Sequence, residues 1–201
     1  MEHLFEYLIG GKKMEKSKYN YFPKNVEELK TLIKELIKER GNNADLNDID
    51  TSEITNMYAL FKGMDKFNGD ISRWDTGKVT NMSYIFSGAS SFNQDISKWN
   101  TGNVESMSNM FMAASSFNQD ISKWNTGNVE SMSYMFCGAS SFNQDISKWN
   151  TGRVVNMRYM FYDAKNFDRD ISKWNISKVI NTKSMFEGCP IKEKNKPTFK
   201  R

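Results

Sequence analysis

Histidine is nearly missing from this chain: His3 is the one copy among 201 residues. Imidazole-built zinc sites, Ser-His-Asp triads and imidazole acid–base schemes all need more than that. Cysteine is scarce too, with only Cys137 and Cys189. They fall in different columns of the pattern described below and two repeats apart. With neighbouring repeats about 5 Å apart, their backbones are separated by about 10 Å, beyond the roughly 7 Å that a disulfide spans. Both read as small, buried or half-buried residues. No stretch approaches the roughly eighteen consecutive apolar residues of a membrane-spanning helix. The N-terminus, MEHLFEYLIGGKK, carries Glu2 and Glu6 where a secretory signal needs positive charge, and its lysines follow the short apolar run. A cytoplasmic or virion-associated protein is therefore expected over a secreted one. P-loop, dinucleotide and EF-hand motifs are all missing. The net charge of +4 includes no basic stripe inside the repeats; Lys192, Lys194, Lys196, Lys200 and Arg201 crowd the last positions. Such a tail reads as a solvated end, and no nucleic-acid partner is expected.

What the chain has instead is a beat of 25 residues. The stretch 117–139, FNQDISKWNTGNVESMSYMFCGA, recurs almost letter for letter when shifted by one period. All five tryptophans keep the beat: Trp74, Trp99, Trp124, Trp149 and Trp174. Ile71, Ile96, Ile121, Ile146 and Ile171 do the same, as do two phenylalanine columns, one from Phe67 to Phe167 and one from Phe61 to Phe186. A fixed period in this range marks a solenoid, in which each repeat buries its apolar face against its neighbours.

The chain divides accordingly. Residues 1–22 form a tail, where 2–9 places Leu4, Phe5, Leu8 and Ile9 on one face of a short helix; it is either a frayed end or a docking peptide. Residues 23–42 hold a capping helix. Pro23 precedes it, Asn25 and Glu28 stand at capping-box spacing, Val26, Leu29, Leu32, Ile33, Leu36 and Ile37 make one stripe, and Gly41 ends it. An amphipathic helix in this place covers the open end of a repeat array. The array spans 43–189. Its first unit is degenerate, with Asp45, Leu46, Ile49 and Ile54 standing where Asp70, Ile71, Trp74 and Val79 stand in the next. Its last unit decays at Thr182 and Cys189-Pro190, and 190–201 form a C-terminal cap or tail.

Within a unit, FNQDIS reads as a short strand, NTG as a turn, and VESMSYMF as a short helix because Val129, Met132 and Phe136 lie three and four apart. The expected fold class is therefore an α/β repeat, with strands in one parallel sheet and helices on the opposite wall.

The run W-[ND]-T-G-x-V-x-x-M-S-x-M-F-x-x-A-x-x-F-N-x-D-I-S resembles the BspA-like repeats of the leucine-rich-repeat superfamily. It is more closely similar to the lipoprotein-associated repeat of unknown function described in mycoplasma surface proteins. The resemblance covers about residues 21–200. It implies a right-handed leucine-rich-repeat-like solenoid, here of about six 25-residue rungs with an N-terminal capping helix, and a role in surface adhesion or protein binding. It brings no catalytic residues and no cofactor. Two departures stand out: methionine, phenylalanine and tryptophan replace leucine in the core, and the secretion signal common among surface members is missing.

Asp70, Asp95, Asp120, Asp145 and Asp170 form a carboxylate ladder. Alternate members would fall within the roughly 5–9 Å of glycosidase pairs, but a residue repeated on every rung is better explained by bonds to turn amides. Asn93, Asn118 and Asn143 read as stacked amides. Two files are candidate partner-binding surfaces. Arg73, Lys98, Lys123, Lys148 and Lys173 place one positive charge per rung, serving either to blunt strand pairing or to bind. Tyr84, Tyr134 and Tyr159, in a column with Asn109 and Ser184, are either partner anchors or stacked neighbours. No metal or cofactor site is expected. The function expected is a non-enzymatic scaffold binding a protein or glycan through an extended face; the alternative is a structural component of a virion or cell-envelope assembly.

Overall fold

The computed structural model describes residues 18–198; the short helix expected over 2–9 lies outside them. Among the described residues one α-helix, α1, spans Val26–Arg40, and a single 3-10 turn, Glu193–Asn195, follows the repeats. Asn25, in an extended backbone, opens α1 by accepting the amides of Glu27 and Glu28 on Oδ1. Glu28 reaches back to the Asn25 side-chain amide and the Lys24 backbone amide, and with Asn25 it ties the chain at the helix start. Gly41, at φ 88°, ends the helix with its amide on the Ile37 carbonyl. The buried stripe is Leu29, Ile33 and Leu36, while Val26, Leu32 and Ile37 are only partly buried.

After α1, successive 25-residue units lie on one another in register. Parallel bridges run from Asn56 through Asn81, Ser106, Ser131 and Asn156 to Asn181, and another joins Asp45 of the degenerate unit to Asp70. The wall bridged from Asn56 to Asn181 is the stretch expected to be helical. Its amides alternate between two destinations. Those of Met82, Tyr84, Phe86 and Gly88 donate to the carbonyls of Ser106, Ser108, Met110 and Met112 on the following unit at 2.7–3.0 Å. Those of Ile85, Ser87 and Ala89 turn back onto Met82, Tyr84 and Phe86 of their own unit. A helix would send every amide four residues back; a run of three-residue turns frees every second amide for the neighbour. It reproduces the three-and-four spacing of Val129, Met132 and Phe136, so periodicity alone does not separate the two. The turns require left-handed backbone twice per unit, as at Tyr84 (φ 60°) and Gly88 (φ 74°). Glycine fills the second of these places in most units, and Ala113 and Asp163 take it in the others.

Among the described residues the stretch expected as a strand shows only the isolated Asp45–Asp70 bridge, where the Asn68 and Asp70 amides donate to Asn42 and Ala44 and the Leu46 amide to Asp70. In the later units side chains carry the register there instead. The Asn118 amide donates to Asn93 Oδ1, and Gln119 Nε2 donates to the Asn93 carbonyl, both at 2.9 Å. Asx-type bonds of this kind compete with a backbone ladder.

Between the walls the aromatic columns form one core. Phe86 lies 3.9 Å from Phe92 within its unit, centroid to centroid, and the tryptophans stack flat on their neighbours. Each tryptophan is anchored by its indole N–H; that of Trp124 reaches the Ile96 carbonyl at 3.2 Å. The buried threonines Thr51, Thr76, Thr101, Thr126 and Thr151 donate to carbonyls of the following unit. Among the described residues no buried side-chain nitrogen or oxygen lacks a partner.

The spacing between equivalent side chains grows across the section. It is 4.8 Å for Tyr134–Tyr159, 5.6 Å for Phe111–Phe136, 6.1 Å for Phe117–Phe142 and 6.4 Å for Trp124–Trp149. Equivalent points related by pure translation would be equally spaced, so the stack rotates about an axis on the tyrosine side. The bridged wall is the inner, shorter one. At the C-terminal end, 190–198 crosses the last unit: the Ile171 amide donates to Asn195, Lys192 and Asn195 donate to Asp168, and Ile191 is buried.

Candidate binding surfaces

The aspartate ladder is spent on local turns. Oδ1 of Asp70, Asp95, Asp120, Asp145 and Asp170 accepts the amide of Ser72, Ser97, Ser122, Ser147 and Ser172, each two residues on. The Ser97 and Ser122 hydroxyls, and then their amides, hold Asp95 and Asp120 below the usual carboxylate range; for Asp145 the Ser147 amide comes first. Carboxylates stabilised in this way are ionised acceptors, whereas a general acid needs its pKa raised.

Arg73, Lys98, Lys123, Lys148 and Lys173 are all exposed, on the outer side of the stack. They border no sheet, because the FNQDIS stretch forms none. Arg73 pairs with Asp45 at 3.6 Å, and Lys98, Lys123 and Lys148 stand close enough to Asp95, Asp120 and Asp145 to lower their pKa values. The file is thus one half of a strip of alternating charge.

Tyr84, Tyr134 and Tyr159 lie on the inner wall, half-buried, each in left-handed backbone with φ between 54° and 60°. Tyr58, next to Ala59 that holds the tyrosine place in the preceding unit, meets Tyr84 edge-on at 5.6 Å; Tyr134 and Tyr159 stack within 5° of parallel. Cations stand over these rings: Lys30 over Tyr58 at 5.7 Å, Lys62 over Tyr84 at 4.7 Å, Arg158 over Tyr134 at 5.3 Å and Lys183 over Tyr159 at 6.0 Å. Asn109, itself buried, interrupts the column. The strip therefore offers aromatic faces and positive charge together.

A third surface is not marked in the sequence. A groove of about 410 Å³ crosses several units between the columns of Lys78, Asn103, Asn128 and Arg153 and of Thr80 and Glu105. These positions vary from unit to unit, so the repeat carries no signal for them. Much of their bonding capacity is already used, as Asn103 donates to Gly77 and Arg153 to Asn128 and Glu130. Cys137 and Cys189 are free and partly buried, and burial pushes both thiols up. Among the described residues no cluster of His, Cys, Asp and Glu is placed to hold a metal ion, and no helix is long and apolar enough to cross a membrane.

Register, side-chain ladders and repeated surface files together define a stacked tandem-repeat protein. A family described as Mycoplasma protein of unknown function, DUF285, matches the chain over residues 27–132 and again over 100–199. The chain belongs to this family. No curated protein and no solved structure matches it.

Proposed function

We propose that the chain is a non-enzymatic repeat scaffold, a right-handed leucine-rich-repeat-like solenoid that binds a protein or glycan through its inner wall. The observation that carries this reading is the tyrosine–cation strip on the shorter wall. Tyrosines already fixed by stacking lose little rotamer freedom on binding and are good anchors. One set per rung lets weak contacts add along the array. The lysine file is the weaker candidate, because the neighbouring aspartates oppose its charge and salt screens what remains beyond about 8 Å. The lowered pKa values of the aspartate ladder favour a structural use of those carboxylates over proton transfer.

The test begins by capturing a partner on the intact chain from extracts of the source cells, followed by affinity measurements on that partner. Changing Tyr84, Tyr134 and Tyr159 together to alanine is expected to abolish binding. Changing Lys98, Lys123 and Lys148 together to glutamate is expected to leave it within about twofold. The reverse pattern would move the interface to the outer strip.

A further inference from the structure

The inner wall is polar along its length. From the bridge residue onward its inter-unit bonds run one way: N–H groups point toward the C-terminal unit and carbonyls toward the N-terminal one, from Met57 on Asn81 through to Asp163 on Glu187, whereas just before it the amides of Thr80, Glu105, Glu130, Val155 and Ile180 donate to the unit before. Peptide dipoles aligned in this manner add, as in a helix, and the open ends carry opposite partial charges. At the last unit, the amides of Thr182, Ser184, Phe186 and Gly188 occupy the donating positions and make no hydrogen bond among the described residues. The carbonyls between them are already taken: those of Lys183, Met185 and Glu187 accept from the unit before, and those of Thr182, Ser184 and Phe186 from their own turns. From Thr182 to Gly188 the open edge therefore presents donors, with the Ile180 carbonyl, unpaired among the described residues, as an acceptor beside them.

An ordinary β-strand does not complement such an edge, since it presents as many donors as acceptors. A second copy does not either. Its acceptor-only edge, the carbonyls of Asn56, Tyr58, Leu60 and Lys62, lies at the end where α1 packs, with Lys30 over Tyr58. The complement is a segment presenting acceptors alone, and the local charge selects its sign. Between 165 and 198 stand eight lysines and arginines against four carboxylates. Glu187 and Asp163 stand near Gly188, and Asp163 is paired with Lys165. The favourable part of the edge therefore runs from Thr182 to Phe186. Beside it Ile180 is 87% exposed, and Val155, one unit back in the same column, is 38% exposed.

We infer that this edge docks an extended acidic peptide of a partner protein, with carboxylates on the amides of Thr182, Ser184 and Phe186 and an apolar side chain against Ile180. It is the C-terminal end of the same wall, one unit past Tyr159, and would take its ligand whether or not the tyrosine faces bind.

The experiment titrates the full-length, ¹⁵N-labelled chain with a short synthetic peptide alternating glutamate and leucine, alongside its lysine–leucine counterpart. The expected result is saturable shifts at Thr182, Ser184 and Phe186, slower hydrogen exchange at those amides, and no response to the lysine peptide. Thr182→Pro removes a donor the free chain does not use, and Ile180→Asp removes the apolar contact at an exposed site. Each is expected to weaken binding about tenfold or more. The Tyr84 and Tyr134 alanine variant, which leaves Tyr159 beside Lys183 in place, is expected to bind the peptide as wild type does. Should Thr182→Pro fail to fold, Ile180→Asp decides alone. Unshifted amides at millimolar peptide, shifts confined to the tyrosine or lysine files, or equal binding of both peptides would overturn the inference.

Discussion

A single unit is held to its neighbour by side chains with one task each. Trp124 closes the Ile96 carbonyl one unit back, and Thr126 closes the Asn150 carbonyl one unit on. Trp124→Phe keeps the ring stack and loses that bond, while the Trp99 amide still holds the carbonyl, and it is expected to lower stability by about 0.5–1.5 kcal/mol in denaturant titration. Gly138, at φ 68°, has ordinary space for a Cβ, with Ala113 Cα at 3.7 Å. Gly138→Ala therefore meets only the conformational penalty and is expected to cost about 1 kcal/mol. A much larger loss would mean that the turn wall is packed more tightly than the distances indicate. The carboxyls of Asp95, Asp120 and Asp145 have folded pKa values below their ordinary range. Their contribution is fully present above the unfolded value of about 3.9 and is lost as pH falls through the depressed folded values. The melting temperature is expected to hold from neutral pH down to about pH 5 and then drop, with a shallower acid slope in the Asp120→Asn chain.

At the scale of elements, α1 closes the N-terminal end with three buried side chains and a capped start. Ile33→Ala is expected to cost about 2–5 kcal/mol and Asn25→Ala about 1 kcal/mol, both read from thermal or denaturant unfolding. Leu32 is only partly buried, so Leu32→Ala is expected to cost less than Ile33→Ala. The helix was legible because its signals are local: the Asn25 and Glu28 spacing, the stripe and Gly41 all lie within one segment. The tryptophan and phenylalanine columns were legible because repetition marks them. What goes on inside a unit was not. Both helix and serial turns place Val129, Met132 and Phe136 on one side, and the choice between them is made by amides that bond to a unit 25 residues away. The threonine column looked like turn chemistry for the same reason, its acceptor being a carbonyl on the next unit. Of the candidate surfaces, the tyrosine column was visible as a file. Its place on the inner wall and the cations over its rings come from the curvature and from Lys62, Arg158 and Lys183, which belong to no repeated motif.

Across the whole molecule, the rotation between units sets the two long faces apart. The outer face alternates lysine and aspartate, while the inner one gathers aromatic rings under positive charge. If the inner wall is where the scaffold binds, contacts on successive rungs add, and affinity falls by steps as rungs are removed. The measurement that tests this most directly is the dissociation constant of a captured partner for the wild-type chain and for Tyr134→Ala, Tyr134→Ala with Tyr159→Ala, and the triple change with Tyr84→Ala. Each variant should first be shown to melt cooperatively. A stepwise loss of roughly three- to tenfold per tyrosine is expected, with no comparable loss when Lys98, Lys123 and Lys148 become glutamate. An affinity unchanged through the whole tyrosine series, or one that disappears with the lysines alone, would contradict it.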